Sequence, residues 1–272
     1  MFIDVIIPTF NRAKFIDRAI HSVLNQTHKN FKLHIVDDGS NDETALILSK
    51  YKTHQQISIY RQQNQGVSAA RNFAVQNSDS SWISFLDSDD EWLPQKLEKQ
   101  INFLNKHSHF QFLHAEEIWI RNGVRVNPKD KHNKSSGNLF KRSLEFCLIS
   151  PSTVIMNRNL FLKHGPFDES FTVCEDYDLW LKILSHEEVG FLPEFVTNKY
   201  GGHEDQLSTQ FVAMDYWRIK SMIALLRTNI DQSKKDLILN EIKKKAPILL
   251  KGYLKHQNLE RFREVSDWVE KI

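Results

Sequence analysis

From residue 2 to about residue 115 the chain alternates between short apolar runs and longer amphipathic ones. The apolar runs at 2–7, 32–37, 57–61, 82–86 and 110–114 have the length and β-branched content of buried strands. Between them, residues 14–25, 42–51, 67–76 and 94–106 carry apolar side chains three and four positions apart, which is the spacing of one helix face. A parallel neighbour is reached only through a crossover, so strand and helix in repeated alternation predict a Rossmann-like α/β fold. Its sheet is mostly parallel, with helices on both faces.

The order then changes. Residues 118–120 and 124–126 flank Arg121-Asn122-Gly123, and Asn-Gly between two alternating runs predicts a hairpin. The polar, lysine-rich stretch at 128–136 reads as a surface loop, or as a lid gathering an anionic ligand where it crosses an active site. A helix is expected near 139–148, a strand near 153–156, and a helix opening at Glu175 and running through Leu184. From Thr209 to Ile272 the pattern is almost wholly helical, with Pro247 as an expected break. The expected division is an α/β unit at 1–208 and a helical extension at 209–272, with no internal repeat of fixed period.

Composition narrows the function classes. With 272 residues, 40% of them hydrophobic, the chain can bury a sizeable core. A net charge of +2 offers no electrostatic case for a nucleic-acid partner. The two cysteines, Cys147 and Cys174, form no close pair of the zinc or redox type, which suits a reducing, cytoplasmic compartment. The first eight residues lack a basic leader and read as a strand, not a signal peptide. No apolar stretch approaches the ~20 residues needed to cross a bilayer, so contact with a membrane is expected to be peripheral, at its inner face. Lys234, Lys235 and Lys243 to Lys245 could rest on an anionic surface. The interspersed Asp236 and Glu241 favour a solvated face instead, on helices that pack on the core or form a homo-oligomer.

Chemistry concentrates where apolar runs end in acids. Asp87-Ser88-Asp89-Asp90 follows residues 82–86, and Asp37-Asp38-Gly39-Ser40 follows residues 33–36. In an open α/β sheet ligands bind beyond the carboxyl ends of the strands, and hard cations take carboxylate oxygens together with a ligand's phosphates. Three carboxylates in four residues repel one another unless a cation compensates them. Taken alone, Asp37 to Ser40 also reads as an ordinary turn, and acids at 175–176 as a complement to a helix dipole.

Six segments in order resemble the family-two glycosyltransferases, the inverting group built on the GT-A fold. They are residues 5–12 (VIIPTFNR), 22–27 (SVLNQT), 36–42 (VDDGSND), 64–72 (NQGVSAARN), 85–90 (FLDSDD) and 174–181 (CEDYDLWL), within a likeness covering roughly residues 2–210. The resemblance implies a metal-dependent transfer of sugar from a nucleotide-sugar donor, a UDP-sugar above all. The acceptor would be a glycan or lipid-linked hydroxyl in cell-surface polysaccharide synthesis.

It implies that Pro8 and Phe10 flank the nucleoside, with Thr9 and Arg12 in the same segment. Asp38 would accept from the uracil ring N–H, while Asp37 holds its turn. Arg71 would lie beside the nucleotide, although a structural ion pair to an aspartate of 87–90 is an equal alternative. The acidic cluster would be the DxD motif. Asp87 and Ser88 fall on the nucleotide side, Asp89 holds Mn²⁺ or Mg²⁺, and Asp90 is a second ligand or a helix cap. Asp176 would be the general base, with Glu175 behind it; Asp178, two residues on, reads as a structural or solvent group. His203 would approach the diphosphate or metal.

Two rivals share the pattern. A sugar nucleotidyltransferase would need a glycine-rich phosphate loop after the first strand, and Pro8-Thr9-Phe10-Asn11-Arg12 has no glycine. A non-catalytic nucleotide-sugar-binding or assembly subunit would have no need of both Asp89 and Asp176.

Overall fold

The structure is a computed structural model, and it describes residues 1–202 and 213–272. The expected boundary at 208/209 lies outside the described residues. Among the described residues nine strands, β1 (Ile3–Thr9), β2 (Phe31–Asp37), β3 (Ile57–Arg61), β4 (Trp82–Phe85), β5 (Glu91–Trp92), β6 (Phe112–Arg121), β7 (Val124–Val126), β8 (Ile155–Asn157) and β9 (Gly190–Gly201), form one sheet in the order β3-β2-β1-β4-β8-β6-β9-β5, with β7 paired to β6.

The first part is laid out by local pattern. Strands β1 (Ile3–Thr9), β2 (Phe31–Asp37), β3 (Ile57–Arg61) and β4 (Trp82–Phe85) are parallel. Helices α1 (Ile16–Leu24), α2 (Thr44–Ser49) and α3 (Val67–Gln76) make the crossovers. Side-chain alternation on β1 feeds two cores: Ile3, Val5 and Ile7 pack with Ile16, Ile20 and Leu97, while Ile6 packs with Ala70, Ala74 and Phe85. Parallel pairing aligns the carboxyl ends of β1, β2 and β4 along one edge, where Asp38 N–H donates to Thr9 O at 2.8 Å.

The remaining strands β5 (Glu91–Trp92), β6 (Phe112–Arg121), β7 (Val124–Val126), β8 (Ile155–Asn157) and β9 (Gly190–Gly201) extend the sheet with mixed directions. β8 runs antiparallel to β4 and β6, and β9 runs parallel to β6. The runs expected at 110–114 and 118–120 are one strand, β6, carrying a register shift at Ala115 to Glu117 that masks its alternation. The Asn-Gly hairpin is present, with Asn122 at φ 51° and Gly123 at φ 78°, both in the left-handed region that a tight hairpin turn requires.

Helices α4 (Lys96–Lys106), α5 (Phe140–Glu145), α6 (Arg158–His164) and α7 (Glu175–Leu184) lead to the tail helices α8 (Asp215–Leu226), α9 (Gln232–Lys255) and α10 (Leu259–Glu270). Pro247 does not break the tail: α9 runs through it. Pro247 is on the exposed side, where water can satisfy the carbonyl its ring leaves unpaired, while Ile242, Ala246 and Leu249 stay buried around it. Tyr216, Ile219 and Met222 of α8 share a single core with Tyr177 and Trp180 of α7. Among the described residues no helix is long and apolar enough to cross a membrane.

Candidate active site

At the carboxyl edge of the parallel strands the acids are held by specific donors. Asp37 accepts from Ser40 N–H at 2.9 Å, closing its own turn, and faces Arg61 at 3.6 Å. Asp38 is buried; its Oδ1 accepts from Gln62 Nε2 at 2.8 Å and Gln65 N–H at 2.9 Å, and its Oδ2 from Gly66 N–H at 2.8 Å. Those bonds fill most of a carboxylate's acceptor capacity and fasten the β2 turn to the segment that opens α3. Gly39, at φ 80°, lets the turn approach: a Cβ there would stand 2.9 Å from Asn64 N.

Pro8 lies in β1 opposite Val36, and Thr9 Oγ1 is buried without a hydrogen-bond partner. Phe10, directly after β1, is 39% exposed. Arg12 N–H donates to Thr44 Oγ1 at 2.8 Å, and its guanidinium to Asn11 O at 3.2 Å.

Arg71 joins the two halves of the site. Its guanidinium, only 2% exposed, donates to Asp87 Oδ1 and to Glu175 Oε1, each at 2.7 Å. This is the ion-pair alternative for Arg71, extended to a second acid 104 residues away. Burial pushes Glu175 above the ordinary carboxylate range against the pull of Arg71, with Asp176 adding repulsion. Glu175 and Asp176 begin α7 directly after Cys174, whose φ of 64° is a left-handed conformation unusual for a residue with a side chain. Asp176 Oδ1 accepts from Tyr177 N–H at 2.7 Å, and its Oδ2 from the Cys147 thiol at 3.4 Å. Burial, then Asp176, keeps that thiol protonated well above its ordinary range. Asp178 is buried and paired with Lys182 at 2.6 Å.

Within the acidic turn the three aspartates diverge. Asp87 faces Arg71, and its backbone N–H donates to Ser152 Oγ at 3.1 Å. Ser88 is buried in the turn, and Asp89, half-buried, has its carbonyl held by Arg18. Asp90 points inward: Oδ2 accepts from Ser152 Oγ at 2.7 Å and Oδ1 from Tyr200 N–H at 3.0 Å. It does not cap α4, whose N-cap is Gln95. Burial, then Asp89 and Asp87, drives its carboxyl well above the ordinary range. A buried acid crowded by two others is an electrostatic setting that a cation relieves. Among the described residues no three His, Cys, Asp or Glu side chains are grouped to hold a metal by themselves. A hard cation bound through one or two carboxylates plus ligand phosphates fits this donor set better than an all-protein cage. His203 lies outside the described residues.

Sequence reasoning missed the polar floor beneath this edge. Glu117 Oε1 accepts from Lys134 Nζ at 3.1 Å, Trp119 Nε1 at 3.0 Å and Ser150 Oγ at 3.1 Å. Burial would raise Glu117, but Lys199 and Lys134 outweigh it and hold the carboxyl at about 2. Lys134 belongs to the lysine-rich stretch at 128–136 and so is tied down. Lys199 comes from β9, whose signal was the aromatic and β-branched run from Phe195 to Tyr200, obscured by Pro193 and Glu194. A groove of about 430 Å³ in the tail, lined by Leu226, Arg227, Lys235 and Trp268 among others, contains none of these residues.

An α/β sheet with acidic turns at its parallel carboxyl edge, continued by a mixed sheet and a carboxylate-bearing helix, is the GT-A architecture. The model of the family described as Glycosyl transferase family 2 matches residues 4–163, and the chain belongs to that family. A curated relative from Rickettsia felis, described as an uncharacterized glycosyltransferase, is 36% identical over 194 residues. That match covers 69% of this chain and 31% of the relative, so the chain spans less than a third of that protein. The Escherichia coli protein WfgD, described as a UDP-Glc:alpha-D-GlcNAc-diphosphoundecaprenol beta-1,3-glucosyltransferase, is 31% identical over 208 residues, 76% of this chain and 79% of WfgD. Among solved structures, S. aureus TarS 1–349 in complex with UDP-GlcNAc has the same fold, with a TM-score of 0.75 at 19% identity over 100% of this chain and 92% of that one.

Proposed function

We propose that this chain transfers a sugar from a UDP-sugar to a hydroxyl of a lipid-linked saccharide, with inversion, at the cytoplasmic face of a membrane. The observation that carries the reading is the Arg71 bridge, which ties the acidic turn at Asp87 to Glu175 beside Asp176. In this reading the bridge holds a nucleotide-side carboxylate and the base in one frame. The names of WfgD and of the TarS complex support a UDP-sugar donor, and that of WfgD a diphospholipid acceptor.

In this reading Pro8, Thr9 and Phe10 line the nucleoside, and Thr9 Oγ1 gains the partner it lacks. The bonds on Asp38 leave it little capacity for the uracil N–H, so its larger part is to hold the turn. Asp176 takes the acceptor proton as the new bond to the anomeric carbon forms, and the Cys147 thiol and Tyr177 N–H orient its two oxygens. Asp89 would hold Mn²⁺ or Mg²⁺, with Asp90 and His203 as further candidates and Asp87 on the nucleotide side. Such an ion, when bound, neutralises charge on the departing diphosphate.

The test is transfer of labelled sugar from UDP-glucose, UDP-N-acetylglucosamine and other UDP-sugars to a GlcNAc-diphospholipid, with Mn²⁺, Mg²⁺ or EDTA. Product from a UDP-sugar, lost in Asp176→Asn, is expected. UDP binding without transfer to any saccharide acceptor would favour the non-catalytic subunit instead.

A further inference from the structure

Lys199 is a cation of the site that, among the described residues, forms no direct ion pair. It lies on β9 opposite Trp119 of β6, next to Tyr200, whose N–H holds Asp90. Its Nζ donates to Ser150 Oγ at 2.6 Å, and Ser150 in turn donates to Glu117. Glu117 already has Lys134 as its ion-pair partner, and Arg71 is divided between Asp87 and Glu175. Among the described residues no carboxylate stands within ion-pair distance of Lys199. An ammonium has three protons to give, and Ser150 accepts one. Against the cost of burial, Glu117, Asp90, Asp87 and Asp176 keep Lys199 protonated, which places its charge among the acidic turn, the floor and the candidate base. A fixed cation with spare donors at that position fits a phosphate oxygen.

Resting on the function proposed above, we infer that Lys199 binds the diphosphate of the nucleotide-sugar donor. During transfer the acceptor oxygen bonds to the anomeric carbon and its proton passes to Asp176. The bond from that carbon to the phosphate oxygen breaks, and its electron pair leaves on UDP. Lys199 meets the charge that collects on that leaving group, from the strand side and independently of any metal.

The experiment is calorimetric titration of the full chain with UDP and with uridine, first in EDTA and then with Mn²⁺. In EDTA, Lys199→Met is expected to weaken UDP binding about tenfold or more, the loss of one charge-assisted bond, and to leave uridine unchanged. Lys199→Arg should keep most of the preference for UDP over uridine. Equal losses for UDP and uridine, or no loss for either, would overturn the assignment. Ser150→Ala, which unties the ammonium without removing it, gives a second reading should Lys199→Met fail to fold. A several-fold loss for UDP alone supports phosphate binding, and no change refutes it. Wild-type protein that binds neither UDP nor uridine, with or without Mn²⁺, would overturn the nucleotide-sugar reading together with the role of Lys199. Normal wild-type binding without a Lys199 effect overturns only the latter.

Discussion

Asp38 and Asp176 belong to the two halves of the molecule and are held in different ways. Asp38 ends a parallel strand, and its oxygens take backbone N–H groups of Gln65 and Gly66 together with Gln62. Little there can rotate, because the fixing groups are mostly main chain. Asp176 begins a helix after a left-handed Cys174 and depends on a thiol at 3.4 Å, with a neighbouring acid neutralised by Arg71 from 104 residues away. One half builds its acids from local turns. The other assembles its site from separate segments, and so concentrates its vulnerability in a few side chains.

The largest break in this comparison should come at Asp176. Asp176→Asn keeps the size and one hydrogen-bonding oxygen but cannot take a proton, so transfer should fall about 10²–10⁴-fold in kcat. UDP affinity should be unchanged, since the donor half is untouched. Parallel loss of UDP binding would show that the two halves are not separable.

Arg71→Leu attacks the link itself. Removing one partner of a buried pair leaves Asp87 and Glu175 uncompensated, at a cost of about 3–5 kcal/mol in unfolding free energy. Urea denaturation checks this, and a loss under about 1 kcal/mol would mean that solvent reaches the site freely.

A smaller effect belongs to the floor. Glu117 is held at about 2, below the usual carboxylate range, so its interactions stabilise the fold at pH values above its unfolded range. That contribution, about 3 kcal/mol, should fade as pH drops from about 4.5 towards about 2. Glu117→Gln should lack this part of the pH dependence and be the weaker protein at neutral pH. Urea midpoints for both proteins across that range decide it, and parallel curves would rule it out.

The same contrast explains what could be read in advance. Residues 57–61 and 67–76 were expected as a strand and a helix, and both appear with those bounds, because each pattern is satisfied by the nearest neighbours in the sheet. The acidic turns at Asp37 and Asp87 were visible for the same reason. Strand β9 was not: Pro193 and Glu194 interrupt it, and pairing with distant β6 and β5 makes it a strand. Pro247 misled because local propensity yields to packing on both flanks of a long helix. Lys199 and Glu117 carried no signal, since a charged residue in a strand looks solvent-facing until its partners from other segments are known, and Lys134 was visible only as part of the lysine-rich stretch at 128–136.

Gly39→Ala sharpens the comparison from the donor side with the smallest effect. The glycine sits at φ 80°, and an added Cβ would meet the backbone at Asn64 N at 2.9 Å and Gln62 O at 3.2 Å. Neither atom belongs to a flexible side chain, so the turn and the 62–66 segment must separate. That separation stretches the bonds on which Asp38 depends. A cost of about 1–3 kcal/mol in stability is expected from the strained backbone and the contact. UDP affinity should fall while the pH dependence of Glu117 stays intact, because the floor does not touch this turn. Affinity unchanged at the expected stability loss would mean that the turn serves the fold alone, and would move nucleotide recognition to Thr9, Phe10 and the acidic turn after β4.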